Sequence, residues 1–359
     1  MSVPNKLYYK ITNAEENHHG FQYVDGLNVF EGNFNDDIED NFYKAGLYFS
    51  DVENIFNFLD YGIYLREVYL VTENPEFKMV TDNNTCRANM IILGKRYDLF
   101  NVETFKMLIE QGADIHANDD YALWLSAFKG HLELVKYLIE CGADIHADND
   151  EPLCVSAENG HLDVAKYLIE CGANIHAEND CLLRLSIESG DLEMIKYLIE
   201  KGADIHVDYD GVLRWCAYNG HFDIMKYLIE NGADIHALDD SALNSSAYKG
   251  HLEIVKYLIE KGANIHAGND CALMCSAEKG HLDVVKYLIE KGVDVHADND
   301  CALRCSAEKG HLDVVKYLIE KGADVHADND YALKHSAENG HVDVVKYLIE
   351  KGVDVNAAL

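Results

Sequence analysis

The sequence is short of positive charge. Its 359 residues contain 63 Asp and Glu but only 30 Lys and Arg, which leaves a formal charge of −33 at pH 7. The shortage extends along the chain: residues 1–90 carry 15 acids against 6 bases, and residues 91–359 carry 48 against 24. Because such a surface repels phosphate backbones and anionic lipid headgroups, we expect neither nucleic acid nor a membrane to be a partner.

Long apolar runs are also absent. No run approaches the roughly 18 residues that a membrane-spanning helix needs, and the opening stretch MSVPNKLYYKITNAEENHHG lacks the apolar segment of a secretion signal. We therefore expect an intracellular protein. The chain has ten Cys, and those in the repeats occupy positions that other copies fill with Tyr, Ser, Gly or Lys, which is more typical of free thiols than of a disulfide framework.

The dominant feature of the sequence is a 30-residue repeat. The string KYLIE begins at residues 136, 166, 196, 226, 256, 286, 316 and 346. A fixed period of this length is typical of solenoids, whose units are too small to bury their apolar side chains alone. In residues 301–330 the pattern predicts a first helix ended by Gly310, a second helix ended by Gly322, and a polar turn whose Asp330 caps the next helix.

The residues of this unit resemble the ankyrin repeat. The run GHLDVVKYLIEKGADVHA resembles the family's second helix and turn, and ALxxSAxxG resembles the end of its first helix. The string YLIEKGADIHADND is similar to the ankyrin repeat proteins of mimivirus-type giant DNA viruses. The resemblance implies a mainly α fold, an ankyrin-type α-solenoid of helix-turn-helix units. Because the unit is shorter than the family's and lacks its Thr-Pro, we expect shortened turns with little strand, and no Thr–His capping bond.

Residues 1–97 do not repeat, and they predict a small α+β N-terminal domain. The aromatic and β-branched runs KLYYKIT, GLYFS, YLREVYLVT, FKMVTD and RANMIIL predict strands. The sequence SDVE at 50–53 matches a capping box before one helix. The ankyrin-repeat array is expected over residues 98–359. It comprises a degenerate first unit at 91–120 (NVETFKMLIEQGADIHA) and eight 30-residue units over 121–359.

Comparison of the units with one another predicts a binding face. The second helix hardly varies, whereas the first helix varies at two sites four residues apart, which share one face of a helix. In ankyrin proteins this face and the turns line the concave binding surface. Aromatic and Arg side chains, which commonly anchor interfaces, concentrate in repeats 121–250. The predicted partner-binding residues are Tyr121, Trp124, Phe128, Arg184, Arg214, Tyr218 and Tyr248.

Some of these variable residues have other interpretations. Trp124 and Phe128 could cover the join to the N-terminal domain, and Trp215, one position off the face, is expected to pack between neighbouring first helices. Opposite charges four residues apart predict solvated ion pairs. These pairs are Arg184–Glu188, Arg304–Glu308 and Lys334–Glu338.

Histidines recur at the same period in two sets, one in the turns from His116 onward and one after the first helices from His131 onward. We interpret both mainly as polar turn residues. The turn set stands where ankyrin proteins carry the Asn that asparaginyl hydroxylases modify, so the resemblance also implies hydroxylation. The candidates are His146, His176, His206, His236, His266, His296 and His326. Alternatively, titration of 18 His near pH 6.5 would make binding pH-dependent.

Two CxxxC pairs, Cys271/Cys275 and Cys301/Cys305, suggest a zinc site. Stacked helices lie roughly 8–10 Å apart, however, which is too far for four sulfurs at ~2.3 Å from one ion. The acidic turns do not have the residue order of an EF-hand. We therefore predict no metal and no cofactor.

The repeats offer no unique catalytic pocket, and in the N-terminal domain only His18-His19-Gly20, Arg66 and Cys86 could serve catalysis. No diagnostic spacing joins them, so we do not expect an enzyme. We expect a protein-protein interaction scaffold or adaptor of viral origin. It would be a monomer in the host cytoplasm that binds a host or viral protein. The alternative is a structural, self-assembling component that associates through its N-terminal domain or through its last repeat, which ends in VNAAL without a polar outer face.

Overall fold

A computed structural model describes residues 6–32, 34, 46–82 and 84–354, without the side chains of residues 178–181. The chain divides into two compact units, unit 1 (Met1–Ala177) and unit 2 (Glu178–Leu359). The segment VNAAL, to which the expectation about the outer face of the last repeat refers, lies outside the described residues.

Unit 1 begins with an antiparallel sheet. Its strands in the described residues are β1 (Tyr8–Thr12), β2 (Asn17–His18), β3 (Phe21–Gln22), β4 (Gly26–Val29), β5 (Leu47–Asp51), β6 (Tyr64–Leu70), β7 (Met79–Asp82), β8 (Thr85–Ala88) and β9 (Met90–Asp98). Seven of them pair in the order β4-β9-β6-β1-β5-β8-β7, and β2 pairs with β3 separately. All five predicted runs form strands, but RANMIIL divides between β8 and β9. The short strands β2, β3 and β4 were not predicted, because two to four residues are too few for a periodic pattern.

Apolar side chains of this sheet form a core cluster. Alternate residues of a strand point to opposite faces, so β5, β8 and β9 each contribute two alternate side chains to the cluster. The buried members are Tyr23, Leu47, Phe49, Val68, Cys86, Ala88, Ile91 and Leu93.

The predicted capping box at 50–53 is wrong. Ser50 and Asp51 are the last residues of β5, and the Ser50 hydroxyl donates to the carbonyl of Asn84 at 2.9 Å. Asp51 instead accepts from the backbone N–H of Asn54 at 3.1 Å. The following helix, Ile55–Tyr61, is a 3₁₀ helix whose N-terminus has no side-chain cap. Pairing of β5 therefore determines the conformation of Ser50 and Asp51, which the local pattern predicted to lie at the start of a helix.

Helix pairs follow the sheet. The second helices of the units are α1 (Val102–Glu110), α3 (Leu132–Glu140), α5 (Leu162–Glu170), α7 (Leu192–Glu200), α9 (Phe222–Glu230), α11 (Leu252–Glu260), α13 (Leu282–Glu290), α15 (Leu312–Glu320) and α17 (Val342–Glu350). The first helices are α2 (Ala117–Phe128), α4 (Ala147–Glu158), α6 (Ala177–Ser189), α8 (Val207–Asn219), α10 (Ala237–Lys249), α12 (Ala267–Lys279), α14 (Ala297–Glu308) and α16 (Ala327–Glu338).

The degenerate first unit predicted at 91–120 is only half a unit. Residues 90–98 form β9, the last strand of the sheet, and α1 supplies the second helix without a first one. The strand ends one residue beyond the predicted domain boundary at 97/98. The sheet replaces the missing helix: Phe56 of the 3₁₀ helix stacks on Phe105 of α1 with ring centroids 5.0 Å apart.

The constant residues of the repeat form its buried side. In α15 the side chains of Val314, Val315 and Leu318 are fully buried. Gly310 and Gly322 end the two helices with φ of 81° and 107°, as predicted. A Cβ on Gly310 would also lie 2.5 Å from the His341 ring of the next unit, so glycine is needed there for space as well as for backbone conformation.

A left-handed turn occupies the position for which we predicted a shortened turn with little strand. Residues 118–120 have φ between 52° and 58°, and the corresponding residues of the other units with described turns adopt the same conformation. Right-handed helix starts only after these three residues. No strand occurs in the described part of the repeats, so the expectation of shortened turns with little strand is confirmed.

The last Asp of each left-handed turn does not cap its own helix, so the role predicted for Asp330 is wrong. Asp330 has φ 61° and accepts from His326 Nδ1 at 2.7 Å. Its counterpart Asp300 also accepts from the backbone N–H of Asp324, 24 residues ahead, at 3.0 Å. A left-handed residue directs its side chain away from the helix, towards the next turn. The Asp series therefore joins neighbouring units.

Candidate site on the first-helix face

The variable positions of the first helices form a face that is partly open to solvent. Phe128 is 39% exposed and Tyr218 is 40% exposed, whereas Ala217, a nearly constant residue between the variable sites of its helix, is buried. Trp124, Arg214 and Tyr248 are half-buried. Cys154 is an exception, because its thiol lies in the core. The constant residues therefore lie mainly in the packed interior of the repeats, and most of the variable side chains reach solvent.

In unit 1 the variable face carries three stacked aromatic rings. The ring centroids of Tyr121 and Trp124 are 5.3 Å apart, as are those of Trp124 and Phe128, with interplanar angles of 15° and 7°. The Tyr121 hydroxyl donates to Asp60 of the 3₁₀ helix, and burial together with this hydrogen bond raises the pKa of Tyr121 to about 12. One end of the stack therefore contacts the N-terminal domain, as the alternative interpretation has it, while Phe128 at the other end is exposed.

In unit 2 the aromatic rings of Tyr218 and Tyr248 are each covered by a lysine from the following 30-residue repeat. Lys249 Nζ lies 4.2 Å from the centroid of the Tyr218 ring, and Lys279 Nζ lies 4.5 Å from that of Tyr248. A cation over a ring face is attracted by its quadrupole, by roughly 0.5–1 kcal/mol at exposed sites. The rings are thus held in place while their edges stay accessible.

Arg214 and Trp215 lie beside this row. The Arg214 guanidinium is 5.7 Å from the Trp215 ring and 3.9 Å from the Asp208 carboxylate. Trp215 is half-buried, and its indole N–H is buried without a hydrogen-bond partner in the described structure. Arg214 therefore has one long ion pair and keeps donors for a further contact.

Of the three predicted ion pairs, one forms. Arg184 Nη1 lies 3.0 Å from Glu188 Oε1. The predicted pair Arg304–Glu308 is wrong, because Arg304 instead binds Asp328, in the turn after the second helix of its unit, at 3.0 Å. The remaining acids take other partners: Glu308 contacts Lys309 and Tyr331, and Glu338 contacts His335. A spacing of four residues within a helix cannot account for partners that stacking supplies from outside it.

The comparison with known proteins settles the family. The family model described as "Ankyrin repeats (3 copies)" matches residues 96–179, 176–239, 213–299 and 294–358. The chain belongs to the ankyrin-repeat family. Ankyrin repeats are generally protein-interaction modules, and the family is typically non-catalytic.

The relatives are proteins of Acanthamoeba polyphaga mimivirus. "Uncharacterized protein R869" is 50% identical over 131 residues, which are 36% of this chain and 95% of that protein. "Putative ankyrin repeat protein R868" is 43% identical over 37% of this chain and 66% of its own length. "Putative ankyrin repeat protein R896" is 43% identical over 35% of this chain, and the match spans only 39% of that protein.

The histidines of the ankyrin turns bind the Asp series. In His146 and His296 the Nδ1 atom lies 2.9 and 3.1 Å from the carboxylate four residues later. About half of each of these side chains is exposed: 55% for His146 and 54% for His296. For His206 the hydrogen bond with Asp210 raises the pKa above its usual range. The backbone and Nδ1 of this set are thus engaged, and the outer edge of each ring is open to solvent.

The second histidine set links ankyrin units, a role that was not predicted. His251 Nε2 donates to the carbonyl of Tyr218 at 3.2 Å, and His341 Nε2 donates to that of Glu308 at 2.9 Å. These carbonyls lie in the last turns of first helices, where they have no partner within the helix. The unit that carries Asp191 in place of His caps its own second helix instead, through the N–H of Glu193. Donor and acceptor are 33 residues apart in each case, one repeat period plus three. This constant separation is the sequence signal from which the contact could have been predicted.

The three residues that could serve catalysis, His18, Arg66 and Cys86, lie in different environments. Arg66 is buried and binds Glu16 at 3.1 Å and Asp25. Burial raises the pKa of Cys86, and burial lowers that of His18 to about 4. Within the described residues no hydrogen bond or ion pair joins His18, Arg66 and Cys86 to one another.

The CxxxC pairs bring their sulfurs together in twos. Cys271 and Cys275 Sγ lie 3.5 Å apart, as do Cys301 and Cys305 Sγ. In the part of the chain that the structure describes, no three His, Cys, Asp or Glu side chains are grouped closely enough to hold a metal ion. None of the described helices is both long and apolar enough to span a bilayer.

Proposed function

We propose that this chain is an adaptor that binds a host or viral protein through the first-helix face and turns of its ankyrin repeats. The observation that carries the proposal is the half-exposed aromatic row at variable positions, Trp124 and Phe128 in unit 1 and Tyr218 and Tyr248 in unit 2. Large aromatic side chains and Arg supply most of the binding energy in protein interfaces. Arg184 and Arg214 complete the predicted contact set.

The physical properties of these side chains favour a protein ligand. Stacking and cation–π contacts hold the rings in place, so little rotamer entropy is lost when a partner covers them. The net charge of −33 disfavours nucleic acid and anionic membranes, and it favours partners with basic surfaces. A viral ankyrin protein of this kind would act in the host cytoplasm.

An affinity pull-down from host and infected-cell lysates tests the proposal. Trp124→Ala and Tyr218→Ala, singly and together, should reduce capture of a specific protein by at least about tenfold, since hot-spot truncation costs roughly 2 kcal/mol or more. Met274→Ala changes the same first-helix position outside repeats 121–250 and is the matched control. If the double variant captures every partner of the wild type at equal yield, the contact set is wrong.

Self-association is the alternative proposal. Val342 in α17 is 58% exposed, and this apolar surface would suit a contact between copies through the last repeat. The N-terminal domain is the other candidate for such a contact. Light scattering distinguishes the two functions: a monomer at high protein concentration supports the adaptor, whereas oligomers that dissociate in Val342→Lys support assembly.

We also propose that the turn histidines can be hydroxylated by a host oxygenase. Half-exposed rings in short turns between helices support access by an enzyme, as in His146 and His326. Mass spectrometry of protein from a eukaryotic host should show shifts of about 16 Da on turn peptides. Unmodified peptides across all turns would refute the proposal.

The histidines also support a pH-dependent affinity. Protonation of up to 18 His would bring the formal charge from −33 towards −15. Binding of a basic partner should weaken between pH 7.5 and 5.5, as measured by calorimetry. An unchanged affinity would remove this part of the proposal.

A further inference from the structure

The N-terminal sheet of unit 1 contains a cavity that the repeats do not use. Its volume is about 490 Å³, within the range of pockets that hold small molecules, roughly 300–1,000 Å³. Aromatic rings dominate its lining. They include Phe21, Tyr23, Phe30, Phe49, Phe58 and Tyr61.

One cation lies at the wall of this cavity. Lys10 on β1 is only 5% exposed, and its Nζ donates to the carbonyl of Tyr48 at 2.8 Å and lies 4.4 Å from the centroid of the Tyr23 ring. Lys10, Tyr23 and Tyr48 all line the cavity. An ammonium group has three donors, and the carbonyl and the ring take two of them. The third donor remains for a group inside the cavity.

Three cations near Lys10 have carboxylate partners, whereas none is found for Lys10 among the described residues. Arg66, directly across from Lys10 on β6, binds Glu16 and Asp25, and Lys6 binds Asp51. Within the described residues no ion pair to Lys10 is present, and burial lowers the pKa of Lys10 to about 7. A buried charge without a counter-charge is costly, which is why buried lysines are uncommon unless paired.

The imidazole of His18 cannot neutralise the Lys10 ammonium. His18 lines the same cavity, and burial followed by the charge of Lys10 lowers the pKa of His18 to about 4. Its Nε2 accepts from the backbone N–H of Asn13 at 3.1 Å. The imidazole is therefore neutral and its acceptor is occupied. The cavity combines aromatic walls with one buried amine, that of Lys10, which has no ion pair among the described residues.

We propose that this cavity binds a small aromatic molecule with one negative charge, its acid group paired with Lys10 Nζ and its ring packed among the aromatic walls. A single acid group matches a single cation, whereas a phosphate dianion would need a second one, and Arg66 is already neutralised by two carboxylates. Binding removes the cost of the unpaired lysine, so the charge pair and the apolar contacts act together. The site is independent of the first-helix face.

Two probes of nearly the same shape test the proposal on the full chain. 1-Anilinonaphthalene-8-sulfonate carries one negative charge, and N-phenyl-1-naphthylamine is the same ring system without it. Fluorescence titration should show that Lys10→Met weakens binding of the sulfonate by about tenfold or more. The neutral probe should bind the wild type and Lys10→Met equally well, or the variant more tightly.

Lys95→Met, which removes an exposed cation outside the cavity, is the matched control and should leave both affinities unchanged. Circular dichroism of each variant shows whether the sheet is folded. The proposal is overturned if the sulfonate binds Lys10→Met as well as it binds the wild type, or if the wild type binds neither probe. It is also overturned if folded Lys10→Met loses the neutral probe equally, because the lysine would then shape the cavity rather than bind the charge.

Discussion

At single positions this chain holds a buried amine or a left-handed backbone conformation that is unfavourable by itself and is maintained by the surrounding structure. Lys10 is a buried amine without a carboxylate partner, and its burial lowers its pKa to about 7 from an ordinary value of 10.5. Leu238 has φ 54° and ψ 45°, a left-handed conformation that L-residues other than Asn and Asp rarely adopt. Each of these costs stability at one position, so each can be tested by one substitution.

Lys10→Met should stabilise the protein in a pH-dependent way. The folded pKa lies below the unfolded pKa, so the unfolded chain binds the extra proton between about pH 7 and 10.5. The cost of burying Lys10 is thus fully present below pH 7 and disappears as the pH rises towards 10.5. Calorimetric melting of the full chain should show the largest gain in Tm for Lys10→Met at or below pH 7. A gain that grows with pH would contradict the assignment.

Leu238→Asn should raise the free energy of unfolding by about 0.5–1 kcal/mol, because Asn tolerates left-handed backbone better than Leu. Leu238 is 47% exposed, so little apolar burial is lost. The reciprocal control is Asp148→Leu, at the same turn position with φ 48°. It should lower the stability by a similar amount. Urea denaturation measures both, and changes of the same sign would refute the explanation.

At the scale of elements, hydrogen bonds between units matter more than the helix caps within them. Asp240 is buried, and its Oδ1 accepts from the backbone N–H of Asn264 at 2.9 Å and from His236 Nδ1 at 3.2 Å. The second histidine set also joins neighbouring units, for example where His281 Nε2 donates to Tyr248 O at 3.0 Å. Each turn is therefore tied both to its own unit and to the next one.

Asp240→Gly should destabilise the chain relative to Asp239→Gly by about 1–3 kcal/mol, the cost of leaving buried donors without an acceptor. Both residues are left-handed, with φ of 53° and 56°, so the backbone effect of glycine is shared and cancels in the comparison. Asp239 is exposed and is the matched control. Equal midpoints of urea unfolding would show that the Asp bridge contributes nothing.

The elements also show where a local pattern loses to its environment. The SDVE segment has the composition of a capping box, yet pairing of β5 with β1 and β8 determines its conformation. Arg304 has Glu308 one helical turn away, yet its guanidinium binds Asp328 and two carbonyls of the preceding turn. A local pair of this kind is worth a few tenths of a kcal/mol, so several hydrogen bonds to the adjoining turns outweigh it.

At the scale of the whole molecule, charge is the dominant feature. A net charge of −33 on 359 residues destabilises the compact state by self-repulsion. Salt would weaken both this repulsion and the surface ion pairs, such as Lys136–Glu133, 2.7 Å apart. Exposed pairs contribute only about 0–1 kcal/mol each and many contribute nothing. The repulsion should therefore determine whether added salt raises or lowers the stability of the protein.

The melting temperature should therefore rise with ionic strength. The screening length falls from about 30 Å at 0.01 M salt to about 3 Å at 1 M, and most of the effect should appear below ~0.15 M. Calorimetry in NaCl and in choline chloride should give the same rise, since screening does not depend on the cation. A Tm that falls with salt would mean that ion pairs outweigh the net charge.

The sequence by itself determined the period of 30 residues, the two helices of each unit, the glycines that end them, and the division into buried constant and half-exposed variable positions. These features follow from helical periodicity and from backbone conformations open mainly to glycine, and both are local properties. The strands of the N-terminal domain were also predictable where five or more residues carried a pattern.

Only the tertiary structure decided which units the polar side chains join. The Asp and His series bind atoms 24 and 33 residues away, and Phe56 takes the place of a missing helix beside Phe105. Such partners depend on how helices stack and on where the sheet meets them, which no spacing within one helix specifies. The cavity around Lys10 likewise exists only because strands and loops distant in sequence leave a space between their aromatic rings.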